Sequence, residues 1–437
     1  MLDIKFIREN PDKVKTGIEK KGADSSLVDN VLDLDKKRRE LIQQIDTLRA
    51  KKNIAEEKLL KEKEENPASP TGRKKEILDV LKQVKLVLEI KGKELGKLEQ
   101  EYQKLMSSVP NLPLEDVIVG KDERDNQVLK EKGKKAKFNF TPKDYLTLGE
   151  SLDIIDTKRA AKISGSRFGF LKREAAQLEI ALVHLAFDKL TKKGFIPVIP
   201  PVLIKPEPFW GMGYLDRGKE EVYHLEKDDL YLIGTAEQII GPMHMNEILK
   251  EEELPLRYAG FSSCFRREAG SYGKDTRGIL RVHQFDKVEM FIFSKPEEAQ
   301  KEHELLLSIE EELMKSLGIP YRVINICSGD LGDPAAKKYD IEAWLPGQNN
   351  GQGEYRETHS TSNCTDYQAR RLNIKYLNPR TSKNEFVYTL NGTALAIGRA
   401  IIAILENYQT KEGFIRIPKV LVPYMGGIKV IKRNNSS

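Results

Sequence analysis

The chain has 437 residues, a formal net charge of +6, and 32% charged residues. That length allows two or three domains, and so mild a basic excess admits nucleic acid as a partner without requiring it. Three scattered cysteines, Cys264, Cys327 and Cys364, make no Cys-x-x-Cys pair, so neither zinc nor a disulfide framework is expected. The N-terminus does not read as a signal peptide, and no apolar run is long enough to span a membrane. A reducing, cytoplasmic setting is expected.

In chain order, Ile4 to Lys21 reads as helix, with a new segment starting at Pro11 and an end at Gly22. Residues 27–108 then change composition, with little Gly, few aromatics and dense Lys, Glu and Leu. Apolar residues recur at three- and four-residue steps: Leu27, Val31, Leu34, Leu41, Ile45 and Leu48. They resume after Asn66-Pro-Ala-Ser-Pro-Thr-Gly72 with Ile77, Leu81, Val84, Leu88, Leu95, Leu98, Tyr102 and Leu105. Two such stripes across a Pro/Gly break predict an antiparallel coiled-coil hairpin, each arm roughly 55 Å long. Residues 73–108 carry nine Lys/Arg against six Asp/Glu, while 27–65 are balanced at ten each. A solvated spacer would look the same, so reach, not charge, suggests a partner-binding arm at 1–110. Val109-Pro-Asn-Leu-Pro113 stops the helix, and 111–140, polar and Lys-rich from 115, reads as a linker or surface segment.

The second domain is expected over 141–431, with 432–437 a disordered tail. Residues 172–193 form an amphipathic helix closed by Gly194, and Gly194-Phe-Ile-Pro-Val-Ile-Pro-Pro201 is extended, an edge strand by its prolines. Leu232-Ile-Gly-Thr-Ala-Glu237 presents Thr235 and Glu237, which can bind a hydroxyl and an ammonium together or simply start a helix. Further on come a helix at 296–317 and a strand over Ala336–Pro346 with Asp340 and Glu342 on one side. Glu357 and Ser360 are hard oxygen donors suited to Mg²⁺. Val387 to Arg399 reads as strand, turn, then a buried helix from Ala400 to Tyr408. Arg399 on that helix needs an anionic partner.

The most informative stretch is 261–291. It reads as strand, loop and strand, with Arg266 and Glu268 on one face and His283, Phe285, Lys287 and Glu289 at period two on the return. A solvated hairpin face would tolerate this set. An anion site explains it better: Arg266 can fork onto a phosphate or carboxylate, Glu268 can accept from an exocyclic amine, and Phe285 offers a ring face to a flat base.

Phe265-Arg-Arg-Glu268, the loop and Arg281-Val-His-Gln-Phe285 resemble motif 2 of the class II aminoacyl-tRNA synthetases. The fuller wording through Asp275-Thr-Arg-Gly278 and Lys287-Val-Glu289 is similar to the seryl-tRNA synthetases. Residues 194–201 resemble motif 1, the segment around Arg399 resembles motif 3, and Thr235-Ala-Glu237 matches the family's serine loop. Lys121 to Asn126 also has a counterpart there, and Phe414 to Tyr424 resembles the family's closing strand segment. The resemblance covers nearly the whole chain. It implies an α+β fold, an antiparallel β-sheet catalytic core flanked by helices, with the helical hairpin gripping tRNA. It implies an ATP-dependent serine–tRNA ligase working through seryl-adenylate on tRNA(Ser), with tRNA(Sec) left open, and a homodimer.

By the same resemblance, Arg266 and Arg399 are catalytic. Thr235, Glu237, Arg266, Glu289, Asn391 and Thr393 bind serine. ATP is held by Arg266, Arg267, Glu268, Val282, Phe285, Glu357, Thr358, His359, Ser360 and Arg399, with Mg²⁺ on Glu357 and Ser360. Arg267, Tyr272, Lys274, Thr358-His359 and Asn349–Gly353 depart from the family's commonest wording. Two rivals are a ligase that charges a carrier protein and a non-catalytic scaffold. The long hairpin disfavours the first, and Arg266, Glu268, Glu289, Glu357 and Arg399 together disfavour the second.

Overall fold

A computed structural model describes residues 1–65, 72–215, 219–269, 275 and 277–433. The expected turn at 66–71, the loop positions Tyr272 and Lys274, and tail residues 434–437 lie outside the described residues. The chain divides into two units. One comprises Leu2–Glu19 and Ala23–Val109, the other Met1, Lys20–Gly22 and the chain from Pro110.

In the first unit the N-terminal helix is two helices, Ile4–Glu9 and Pro11–Glu19. Pro11 lacks the N–H that a continuous helix would need. Two long helices follow, Ser26–Glu65 and Gly72–Ser108. They pack on the predicted seam: Val31, Leu41 and Ile45 are buried on one helix, Leu81 and Tyr102 on the other. Asp35 is a departure, only 1% exposed on the seam side. Arg8 (3.4 Å) and Arg39 (2.9 Å) flank its carboxylate. Arg38 pairs with Glu99 across the two helices at 2.7 Å.

The second unit is built on an eight-stranded sheet. Its strands are β1 (Gln127–Lys132), β2 (Ile196–Val198), β3 (Leu256–Phe265), β4 (Gln284–Ser294), β5 (Tyr321–Asn325), β6 (Lys337–Leu345), β7 (Glu354–Asn363) and β8 (Tyr388–Ala396). Their order is β1-β5-β6-β7-β8-β4-β3-β2. Every pair is antiparallel except β2 with β3. The sheet is the α+β core expected. Helices Glu174–Thr191, Ala299–Leu317 and Ile397–Asn407 share one apolar core with it, including Met290, Ile292, Ile341, Leu313, Ala394 and Ile401. Alternation sends Phe291 and Phe293 of β4 to a second core with Met212, Ala236 and Ile240.

Four expectations need correction. Segment 111–140 is not a plain linker, because 127–132 pairs with β5 as an edge strand. Its polar side chains are mostly exposed, as an edge strand tolerates. The turn expected between the last strand and its helix is absent: β8 runs on to Ala396 and the helix starts at Ile397, with Gly392 paired between Met290 and Thr361 inside the sheet. The strand expected over 414–424 is reduced to Ile415–Arg416. The strand carrying Arg266 ends at Phe265, so Arg266 to Glu268 leave the sheet.

Candidate active site

Two irregularities of the sheet decide which side chains converge. In β7, Ile341 faces His359 but Glu342 faces Glu357, which makes Thr358 an extra, bulged residue. Residues three apart on a regular strand point to opposite faces, and the bulge puts Glu357 and Ser360 on the same one. In β8, Ala394 is the extra residue between the pairs Glu289–Thr393 and Val288–Leu395. A cavity of about 720 Å³ is therefore lined by Glu357 and Ser360 of β7, Lys287 and Glu289 of β4, and Asn391 and Thr393 of β8. Thr235, Glu237, Arg266 and Glu268 complete its wall. A narrower extension of about 170 Å³ is lined by Val282, Phe285, Gly398 and Arg399 and shares Arg266, Arg281 and Glu357 with it.

Local glycines set the approach of two walls. A side chain at Gly260 would meet Ile240 at 2.4 Å, so the short helix Glu237–Ile240 lies directly on β3. Gly278, at φ 82°, sits against Tyr145, whose hydroxyl accepts from the Ile279 N–H at 3.0 Å and pins the loop's return.

Thr235 and Glu237 are both buried. Glu237 Oε1 accepts from the Tyr214 hydroxyl (2.7 Å), the Asn391 amide (3.2 Å) and the Gln368 amide (3.4 Å). Thr389 donates to the oxygen of that Gln368 amide at 2.7 Å and fixes its orientation. Burial, with Glu289 nearby, pushes Glu237 up to about 7. Glu289 pairs with Lys287 at 2.5 Å, both side chains nearly sealed from solvent, and the Thr393 hydroxyl lies 3.4 Å from Glu289 Oε2. A solvated hairpin face is thereby excluded.

Arg266 donates from Nε to the Gly234 carbonyl at 3.3 Å and lies over the Phe285 ring, 5.4 Å from its centroid. Its terminal nitrogens are thus aimed by one backbone acceptor and one aromatic face. Glu268, at φ 52°, turns its carboxylate onto Arg281 at 2.5 Å. Arg399 finds its anionic partner in Glu357, bonding the backbone oxygen (2.9 Å) and approaching Oε1 (3.4 Å). Desolvation raises Glu357, but Arg399, Lys338, Arg266 and Arg281 outweigh it and hold the carboxyl below its usual value.

Two expected nucleotide ligands are not brought in. Arg267 lies over the Tyr223 ring and donates its backbone N–H to the Glu221 carbonyl, and it lines neither cavity. His359 is buried, and burial pulls it down to about 4. Thr358 borders the narrow extension but gives its hydroxyl to the Ile341 carbonyl at 3.2 Å. Conversely, Lys287, Lys338, Arg281, Tyr214, Gln368 and Cys364 belong to the site without having been singled out for it. Only Lys287 left a signal, its period-two spacing with Glu289.

Comparison with known proteins agrees with this arrangement. Residues 221–408 match the family described as tRNA synthetase class II core domain (G, H, P, S and T), and residues 1–113 match the seryl-tRNA synthetase N-terminal domain. The serine–tRNA ligase of Thermobifida fusca is 47% identical over 426 residues, 98% of each chain. That of Dictyoglomus thermophilum is 47% identical over 429 residues, again 98% of each. The crystal structure of seryl-tRNA synthetase from Pyrococcus horikoshii complexed with ATP superposes with a TM-score of 0.90 at 43% identity, covering 99% of this chain and 100% of that one. The cytoplasmic enzyme of Naegleria fowleri in complex with AMP gives 0.86 at 35%, covering 100% and 99%. A full-length match at this identity, with both family regions in place, means that the chain belongs to the seryl-tRNA synthetase family.

Proposed function

We propose that the chain activates L-serine with ATP and transfers it to the 3′ end of tRNA(Ser). The observation that carries this reading is one cavity holding two chemistries side by side. Buried Glu237, Thr235, Asn391 and Thr393 suit a small hydroxylated amino acid, and Arg266, Phe285 and Arg399 suit an adenine nucleotide. The ATP and AMP complexes of the two solved relatives support the nucleotide half.

In the first step a serine carboxylate oxygen attacks the ATP α-phosphorus, and pyrophosphate leaves with the electrons of the broken bond. In the second, the terminal ribose hydroxyl of tRNA attacks the adenylate carbonyl, loses its proton, and AMP departs. The side chains supply position and charge. Glu237 accepts the serine ammonium, while Glu289 and Thr393 meet the hydroxyl. Arg266 offers its fork to the reacting carboxylate and α-phosphate. Phe285 and Val282 hold adenine, and Arg399 neutralises the remaining phosphates. A pocket that bonds the hydroxyl penalises alanine, because its buried polar groups would be left unpaired.

Glu357 and Ser360 fit magnesium: both are hard oxygen donors that the β7 bulge places on one face. Among the described residues no group of three or more His, Cys, Asp or Glu converges, so Glu357 and Ser360 would hold the ion only together with the nucleotide. When bound it neutralises phosphate charge and fixes the shape of the triphosphate.

The hairpin unit is the tRNA-binding arm in this reading, supported by its N-terminal-domain match. The edge strand β2, with exposed apolar Ile196 on it and Ile199 just beyond it, supports a homodimer through that edge. Three free cysteines accord with a cytoplasmic setting. ATP–pyrophosphate exchange with a panel of amino acids tests the central assignment. Serine must support the fastest exchange, and faster exchange with threonine or alanine at equal concentration would refute it.

A further inference from the structure

Glu310 lies on helix Ala299–Leu317 beneath the sheet and is fully buried. Neither of its carboxyl oxygens has a hydrogen-bond partner. Burying a carboxyl without partners is costly, so a group in this state calls for an account. Its surroundings are acidic as well, with Glu289, Asp340 and Glu311 near enough to oppose its ionisation and Lys287 favouring it. Burial and these carboxylates raise the Glu310 carboxyl well above its usual value, and with no hydrogen-bond partner it acts here by its shape.

What it touches gives that shape a purpose. Gly392 lies between Asn391 and Thr393 on β8. Those two line the cavity, so alternation turns the bare face of Gly392 toward the helix layer. A Cβ on Gly392 would stand 3.0 Å from Glu310 Oε1 and 3.1 Å from Thr361 Oγ1. Thr361 in turn gives its hydroxyl to the Asn391 carbonyl at 3.0 Å. The backbone between the two pocket residues is therefore held by Thr361 on one side and seated on Glu310 below.

We propose that Glu310 is a positioning residue for the amino-acid pocket: its carboxyl, packed against Gly392, sets the height of the β8 segment that carries Asn391 and Thr393. The inference rests on the reading of those two residues as serine ligands. A closely packed sheet transmits a displacement of this kind, because interiors have little free space to absorb it. Gly392→Ala pushes the segment toward the pocket, and Glu310→Ala removes the seat.

The test is a double-mutant cycle read in serine-dependent exchange, with KM for serine and for ATP measured separately and melting temperatures alongside. Asn391→Ala is the reference arm and raises the serine KM if the pocket reading holds. Gly392→Ala is expected to raise it about tenfold, with the ATP KM within about twofold. Adding Glu310→Ala to Gly392→Ala should recover most of that loss, because the void accepts the new methyl. Glu310→Gln keeps the shape and should keep the serine KM. The proposal is overturned if Asn391→Ala raises the serine KM while the Gly392 and Glu310 effects are additive. It is equally overturned if Glu310→Gln disturbs serine and ATP alike. An unchanged serine KM in Asn391→Ala overturns the pocket assignment, and this inference with it.

Discussion

The hairpin unit and the sheet unit use the same charged residues under opposite conditions. On the hairpin, Arg38 and Glu99 pair at 2.7 Å with roughly a third of each side chain exposed, so water screens the pair and little stability depends on it. On the sheet, Lys287 and Glu289 pair at 2.5 Å with 8% and 2% exposure. There each charge has lost its water and depends on named partners, so its removal is felt. In the proposed function, charges on the first surface serve solubility and long-range attraction, and those on the second fix a small ligand.

That contrast breaks first, if it breaks, at Arg266. Arg266→Ala should lower exchange on the order of a thousandfold, the scale of losing a positioned donor in a desolvated site, with the melting temperature unchanged. A near-normal rate would reduce Arg266 to a stack on Phe285.

Next in size is Glu237→Gln, expected to raise the serine KM about a hundredfold by removing the charge that meets the ammonium. The same group sharpens the comparison through pH. Burial raises the Glu237 carboxyl to about 7, so the ionised form that binds serine is lost as pH falls through 7. The serine KM should therefore rise between pH 8 and pH 6, and Glu237→Gln should flatten that rise. For folding alone the sign is reversed: a raised carboxyl favours the folded state below its unfolded value and loses that contribution as pH climbs toward 7.

Smaller effects follow from structural carboxylates. Glu406 is fully buried and accepts from Tyr145 N–H (3.1 Å), Gly347 N–H (2.8 Å) and the Gln348 amide (2.5 Å). Glu406→Ala should cost about 2–3 kcal/mol, since it strands buried donors, and chemical denaturation checks it. Breaking Arg38–Glu99 by Arg38→Ala should cost under about 1 kcal/mol. A larger loss there would erase the distinction between the two surfaces.

These regions also differed in how plainly they could be read. The hairpin's three- and four-residue steps are local, and Val31, Leu41, Ile45, Leu81 and Tyr102 took the predicted seam. The Lys287/Glu289 alternation was local too. What escaped depended on partners far along the chain. Thr358 is bulged because β6 meets β7 with one residue to spare, and no composition signals that. The missing side chain of Gly392 answers Glu310, 82 positions earlier by residue number. Gln368 and Tyr214 reach Glu237 from 131 and 23 residues away. Residues 127–132 hid as linker because an edge strand keeps its polar side chains in water.

The central claim is that adenylate chemistry belongs to the sheet cleft and tRNA capture to the hairpin. Deleting residues 27–108 behind a short linker, then measuring serine-dependent exchange and tRNA charging on one preparation across a salt series, tests it most directly. Exchange should stay within about threefold, because the cleft's walls all come from the other unit. Charging should collapse, and the lost affinity should be the salt-sensitive part, as contacts to a phosphate backbone release counterions. Equal loss of both reactions, or charging left intact, would contradict the account.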